Sequence, residues 1–292
     1  MQKTLTVSDL AHPVKYDWVR APFGPSPLQQ LADFWHRRRL LVFLFSYGFS
    51  RLYGKTMLGT AWLFLRPGIM VAGSVLVVGK MLGFDTAPVP LTAFILASFA
   101  PWLLFQRGLM MSTNSFGMFK SLSRSFLFPR TMAHIASIGP SILICLALLS
   151  VAILALLYFS LAGHYSFEFG LHLLWVPISI LMTICLVLAL SFFTAPLNAI
   201  AGDTKFVLRY VLTLMMVVSP VFYPISKLGE QFREYMWYNP LACILELYRW
   251  GLFHQEEPWW WHVWLSMGVI ALLFFAGWWF FSFCEQRALE EI

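Results

Sequence analysis

Few side chains in this 292-residue sequence are of a type to do chemistry, and their spacing excludes most reactions. The seven histidines contain no HxxxH pair; His164 and His172 bracket one short turn, and His254 and His262 another. Cys145, Cys185, Cys243 and Cys284 show no CxxC spacing, so neither a metal site nor a disulfide is indicated. No GxxxxGKS or GxxxxGKT phosphate loop is present, so this chain is not expected to bind a nucleotide cofactor or hydrolyse ATP by that route. Its nearest glycine pattern, Gly79-Lys80-Met81-Leu82-Gly83, is a GxxxG of the kind that lets helices approach closely. What remains is a set of cations in or beside apolar runs, Arg66 and Arg107 among them, and Glu246 with Arg249, three residues apart and able to pair on one helix face.

The elements that must carry these residues follow from composition. Hydrophobic residues make up 59% of the chain and charged ones only 12%, with mean hydropathy +0.71. Soluble domains carry about twice that charge. The sequence therefore reads as an all-α integral membrane protein. A crossing helix needs about 20 apolar residues, and six stretches qualify: Thr60 to Gly83, Leu91 to Met111, within Thr131 to Gly163, within Phe169 to Gly202, Phe206 to Pro224, and Pro258 to Cys284. None holds Asp or Glu in its middle, which argues against gradient coupling and intramembrane catalysis, since buried charge at depth persists for function. The run Leu40 to Ser50 reaches only ~16 Å and should lie along the surface. Ahead of it Leu28, Leu31, Phe34, Trp35 and Leu41 recur at helical spacing, with Arg37, Arg38 and Arg39 facing elsewhere, as in an interfacial amphipathic helix.

Three parts result: a Pro-rich arm (1–27), the interfacial helix (28–56) and one six-span domain (57–292). The formal charge of +6 would suggest nucleic acid in a soluble protein, but its placement indicates a membrane instead. With six spans, 16 of the 20 Lys and Arg fall on the side of the termini, leaving Lys80, Lys227, Arg233 and Arg249 opposite. By the positive-inside rule both termini are cytoplasmic.

Two connections stand out. On the cytoplasmic side, Ser112 to Arg130 (about 112–130) forms a short amphipathic helix with Phe116, Phe119, Leu122 and Phe126 along one stripe and Lys120 and Arg124 off it. Docking on another protein and lying on the membrane surface are equally compatible with it. On the external side, Pro220 and Pro224 interrupt the fifth span. Gln231 to Tyr238 and Leu241 to Phe253, joined by Asn239-Pro240, are too short to cross, so residues of about 225–256 fit a re-entrant helical hairpin.

At this point a resemblance emerges. Tyr53-Gly54-Lys55-Thr56-Met57-Leu58-Gly59-Thr60-Ala61-Trp62 with Leu65-Arg66-Pro67, Ser219-Pro220-Val221-Phe222-Tyr223-Pro224, and Tyr238-Asn239-Pro240-Leu241 with Glu246 and Arg249-Trp250 resemble motifs of ABC transporter permeases that export bacterial cell-surface polysaccharides. Arg66 departs from relatives that have Asn or an acid before this proline. The resemblance implies a homodimer in the bacterial cytoplasmic (inner) membrane, each copy bound by a separate ATPase subunit that carries ATP and Mg, exporting a lipid-linked glycan such as O antigen, capsule or teichoic acid. It implies that Phe116, Phe119, Lys120, Leu122, Arg124 and Phe126 belong to a coupling helix, and that Pro220, Pro224, Asn239, Pro240, Glu246 and Arg249 belong to an external gate.

Such cargo needs a basic portal and an aromatic channel. Arg51, Lys55, Arg66 and Arg209 are candidates for the anionic headgroup; for Arg66 the competing reading is a side chain that snorkels to the surface. Trp62, Phe64, Trp102, Phe105, Phe222 and Tyr223 are candidates for stacking on sugars, against packing or an interfacial belt like that expected of Trp259, Trp260, Trp261 and Trp264. Alternatives are a permease for a small amphiphile or antibiotic, and a membrane-embedded lipid-modifying enzyme.

Overall fold

The computed structural model describes residues 38–54, 56–81, 83, 86, 89–123, 128, 130–254 and 257–290. The Pro-rich arm, the first turns of the interfacial helix, Lys55, Arg124 and Phe126 lie outside them. Every regular element among the described residues is helical. The order is α1 (Arg38–Tyr53), α2 (Trp62–Val75), α3 (Leu91–Thr113), α4 (Ser115–Ser123), α5 (Arg130–Ala136), α6 (Gly139–Leu161), α7 (Trp175–Ile200), α8 (Thr204–Val218), α9 (Glu230–Trp237), α10 (Pro240–Phe253) and α11 (Trp260–Glu290). A 3₁₀ turn leads into α2, and a π-helical turn, Leu76–Met81, follows it.

Five stretches among the described residues are long and apolar enough to cross a membrane: Gly59–Gly79, Leu91–Thr113, Arg130–Leu161, Leu171–Ile200 and Trp260–Cys284. These match five of the six expected spans. The remaining one, expected over Phe206 to Pro224, is helical only over the 15 residues of α8, ~22 Å. Its ladder stops at Ser219 because Pro220 can donate no N–H to continue it.

The second crossing is the axis of the molecule, with 78% of its most apolar window buried, against 22% for the first and 17% for the last. α3 packs on α2, α6, α7, α8 and α10. Ile95, Phe99, Trp102, Leu103, Leu104 and Phe105 fill the resulting core. α7 in turn packs along α11, where Gly277 permits close contact: a Cβ there would lie 2.6 Å from the Ala189 carbonyl oxygen. α1 packs on α5 and α6, with Leu44 and Gly48 buried and Gly48 facing Met118 and Phe119 of α4, and so part of the helix expected along the surface is tied into the bundle.

On either side of α3, α2 and α8 are covered only in part. α2 exposes Phe64, Leu65 and Ile69, and α8 exposes Phe206, Val207, Tyr210, Leu214, Val217 and Val218. Apolar faces of that extent need lipid or another protein against them.

Gly277→Val should lower thermal stability by about 1 to 3 kcal/mol, since the branched side chain must push α11 off α7. Melting of the detergent-solubilised variant beside the wild type measures this; an unchanged midpoint would contradict the tight crossing.

Candidate functional site

Past Val218 the helix gives way to an irregular turn, extended only at its ends, with ψ of 146° at Ser219 and 145° at Pro224, and with the Val221 N–H donating back to the Ser219 carbonyl at 2.7 Å. The carbonyls along this break have no helical partners and must find others. Arg249 of α10 supplies them. Its Nη1–H donates to the Tyr223 carbonyl at 3.2 Å and its Nη2–H to the Pro220 carbonyl. The guanidinium lies 4.7 Å from the Phe94 ring centroid, and the residue is only 3% exposed. A cation so buried needs an opposite charge, and Glu246 Oε1 stands 3.4 Å from Nη1. The same oxygen accepts the Ile225 N–H at 3.1 Å, fixing the far end of the break. The i,i+3 pair read from the sequence is therefore present, and it binds both ends of a non-helical segment to one buried helix.

Two further caps hold the segment. The Tyr223 hydroxyl donates to the Val218 carbonyl at 2.8 Å, and Phe222 meets Phe99 edge to face at 5.8 Å. The turn between α9 and α10 is set by Asn239, whose side chain accepts the Leu241 N–H at 3.0 Å while Pro240 opens the helix. α10 ends at His254 in the left-handed region, φ 50°, its ring stacked on His172 at 4.3 Å. Nearby, burial raises the Tyr165 hydroxyl above the ordinary tyrosine range, with the Glu168 charge adding to it, and Tyr165 donates to the Phe253 carbonyl at 3.1 Å. Burial likewise pushes the Cys243 thiol of α10 up to about 11.

The helix α4, expected to offer its apolar stripe to a partner protein or the membrane surface, turns that stripe inward. Phe116, Phe119 and Leu122 are buried against the rest of the chain, with Phe116 between Phe281 (5.7 Å) and Arg130 (6.0 Å) and Phe119 against Tyr47 (5.9 Å). The apolar stripe anchors the helix to its own bundle, because leaving three large side chains in water costs more than docking them on neighbours already in reach. Asn114, Gly117 and Ser121 form the exposed side, with Lys120 half-buried.

The anchoring centres on a residue that spacing did not reveal. His134 is 1% exposed and bridges Ser115 Oγ (2.9 Å from Nδ1) and Ser191 Oγ (2.9 Å from Nε2). Its ring lies 5.0 Å from both Phe192 and Phe281. One imidazole thus joins α4, α5, α7 and α11; a lone histidine in an otherwise uncharged apolar stretch was the available signal. Close by, Thr113 and Thr194 hydroxyls meet at 2.6 Å and the Asn198 amide donates to the Thr113 carbonyl at 3.3 Å.

The four cations expected at a cytoplasmic portal are not gathered into one site. Arg51 donates through Nη1 to the Met118 carbonyl of α4, while Tyr47 and Ser121 hydroxyls meet at 2.9 Å, so this arginine joins α1 to α4. Arg66 is exposed on α2, close enough to Arg107 of α3 for the charges to repel, and Tyr53 hydrogen-bonds Arg107. Arg209 is exposed on α8. Of the six candidate aromatics, Trp102 and Phe105 correct the expectation: at 0% and 1% exposure they pack in the core, 6.0 Å apart, and offer no face to cargo. Phe64 is exposed, and Trp62, Phe222 and Tyr223 are half-buried. The tryptophan run also divides. Trp261 and Trp264 are exposed, whereas Trp260 packs on Trp175 (5.0 Å) and Trp250 (5.2 Å).

A bundle around one enclosed helix, with the short helix α4 anchored to it and α8 stapled past its end to the short buried α10, agrees with the family comparison: the model described as ABC-2 type transporter matches residues 39–253, from the second residue of α1 to the last of α10. The chain belongs to the ABC-2 type transporter family. Among curated relatives of this ABC-2 transporter chain, the O-antigen export system permease protein RfbA of Myxococcus xanthus is 21% identical over 79% of the chain and 86% of the relative. The protein of the same name from Klebsiella pneumoniae is 22% identical over 82% and 86%. Family and helices together make this a multi-pass membrane protein and a transport component.

Replacing Arg249 by Met strands Glu246 and the Pro220 and Tyr223 carbonyls, and should cost about 3 to 5 kcal/mol of stability. Arg249→Lys keeps the charge but cannot reach both carbonyls, and should fall between. Thermal melts of the solubilised variants check the order; equal midpoints for wild type and Arg249→Met would show the staple is idle.

Proposed function

We propose that this chain is the transmembrane subunit of an ATP-driven exporter that moves a lipid-linked cell-surface polysaccharide across the bacterial inner membrane. The single observation that carries the reading is the family match, extended by two relatives named as O-antigen export permeases and matched over 86% of their length. In this reading two copies form the channel, and a separate ATPase dimer supplies ATP and Mg chemistry. The apolar faces left open on α2 and α8 are where a second copy and lipid meet the subunit.

The chain crosses six times with both termini inside. α8 provides ~22 Å, so the irregular stretch Ser219 to Pro224 must supply the rest of the ~30 Å of hydrocarbon. Irregular backbone at depth requires internal partners, and the Arg249–Glu246 staple provides them. α9 and α10 then return as the external gate. On the cytoplasmic side α4 receives the ATPase on its polar face, Asn114, Gly117 and Ser121, while Phe116, Phe119 and Leu122 pass its displacement inward through the His134 contacts.

The cargo has an apolar tail, a phosphate headgroup and a hydrated glycan. Arg66 and Arg107, close enough for their charges to repel, are the local excess of positive charge suited to the headgroup. Phe64, Trp62, Phe222 and Tyr223 are the aromatics left with free surface for the glycan.

Deletion of the chain tests the function. Lipid-linked glycan should accumulate inside the cell and surface glycan should disappear; unchanged surface glycan defeats the proposal. Arg66→Ala should reduce surface glycan several-fold while dimer and ATPase assembly, read by co-purification, stay intact. Undiminished export in that variant sinks the headgroup role.

A further inference from the structure

Among the described residues, His254 is the one that enters the left-handed backbone region without being glycine, with φ 50°. It closes α10 at a position where glycine is usual, because a Cβ strains that conformation. Strain of this kind persists where the surrounding structure has a use for the residue. Here the His254 ring lies stacked on the His172 ring, with centroids 4.3 Å apart and planes 19° from parallel. His172 belongs to the short 3₁₀ turn Leu171–Leu174 ahead of α7 and is buried, its Nε2 without a hydrogen-bond partner among the described residues. Trp250, one turn back on α10, flanks both rings at 6.5 and 5.7 Å. The fit is close. A Cβ at Gly170 would lie 2.7 Å from His172 Nδ1, and one at Gly251 would lie 3.1 Å from the Val176 backbone nitrogen. The end of α10 therefore docks on the connection between α6 and α7, and a pair of imidazoles forms the contact.

We propose that this pair is a proton-sensitive latch: neutral rings hold the end of α10 against the turn before α7, and proton uptake releases it. Histidine is the side chain that changes charge between about pH 5 and 8. His254 is exposed at a helix C-terminus, where backbone carbonyls favour a cation, so the first proton goes there. A second proton on His172 would set like charges 4.3 Å apart. The groups around the pair give the charged ring a second place to sit. His254 lines a cavity of about 640 Å³ together with His164, Tyr165 and Glu168 of the α6–α7 connection. Burial and then the Glu168 charge raise the Tyr165 hydroxyl, which places that carboxylate within reach of the cavity wall. From α10 the pair meets Trp250, itself packed on Trp175 of α7 and Trp260 of α11, none of them charged. Glu257, further along the chain, lines a different cavity with Arg233. An imidazolium leaving the stack thus meets one carboxylate, Glu168, with His164 opposing it once that ring is charged too. The latched state binds fewer protons than the released one, so latching weakens as pH falls. On the export reading above, on which this consequence rests, α10 belongs to the external gate, and acid outside the membrane loosens that gate.

The test uses the full-length chain in lipid nanodiscs, without cargo or ATPase. Backbone amide exchange over residues 249–254 and 171–175 is followed at about pH 7.5 and about pH 5.5, either side of the histidine range, and corrected for the intrinsic pH dependence of exchange. In the wild type, opening of both segments should grow about tenfold per pH unit within that range, the slope of one proton taken up per release. His254→Asn tolerates the left-handed backbone and removes the ring that takes the first proton, and its corrected exchange should not change with pH. His172→Phe keeps an aromatic partner that cannot be charged, and should reduce the dependence several-fold. Corrected exchange independent of pH in the wild type overturns the latch, as does an equal dependence in the wild type and His254→Asn. With no cargo present, neither result touches the export reading, which stands or falls with deletion of the chain.

Discussion

The break between α8 and α9 depends on one ion pair that a membrane environment makes costly to leave incomplete. Glu246 and Arg249 neutralise each other on α10, yet their larger role is to accept and donate the hydrogen bonds that α8 abandons after Val218. Two prolines create the vacancy and one arginine fills it. A guanidinium suits the task better than an ammonium because its donors are arranged in a planar fork, able to serve two carbonyls and one carboxylate together. The flanking elements follow: α10 must be buried to shelter the pair, and α3 must lie beside it, since Phe94 covers the cation's face.

Around α4 the organising group is His134, whose partners among the described residues are the hydroxyls of Ser115 and Ser191 and the rings of Phe192 and Phe281. The two groups use different chemistry for different loads. The Arg249–Glu246 staple compensates a fixed irregularity of the backbone, whereas the His134 cluster ties four helices to one another.

Much of this was legible in the sequence. Apolar runs located five crossings, and paired prolines marked where α8 fails. The i,i+3 spacing identified the Glu246–Arg249 pair, and Asn239-Pro240 marked the start of α10. What escaped shares a physical reason. In a chain that is apolar throughout, hydropathy does not distinguish a side chain facing lipid from one facing another helix, so Trp102 and Phe105 looked as available as Phe64. Periodicity likewise shows that Phe116, Phe119 and Leu122 share a face but not which neighbour covers it. Arg51 and His134 were hidden because their partners, the Met118 carbonyl and two serine hydroxyls, leave no charge pattern to read.

The enclosure of α3 has a mechanical meaning. A helix touching six others has no free direction in which to shift, so it sets the reference frame in which the rest moves. α2 and α8, each covered only in part, are held more lightly. A pore that widens for cargo and closes behind it must therefore take its travel from the perimeter, with the centre of each subunit staying still.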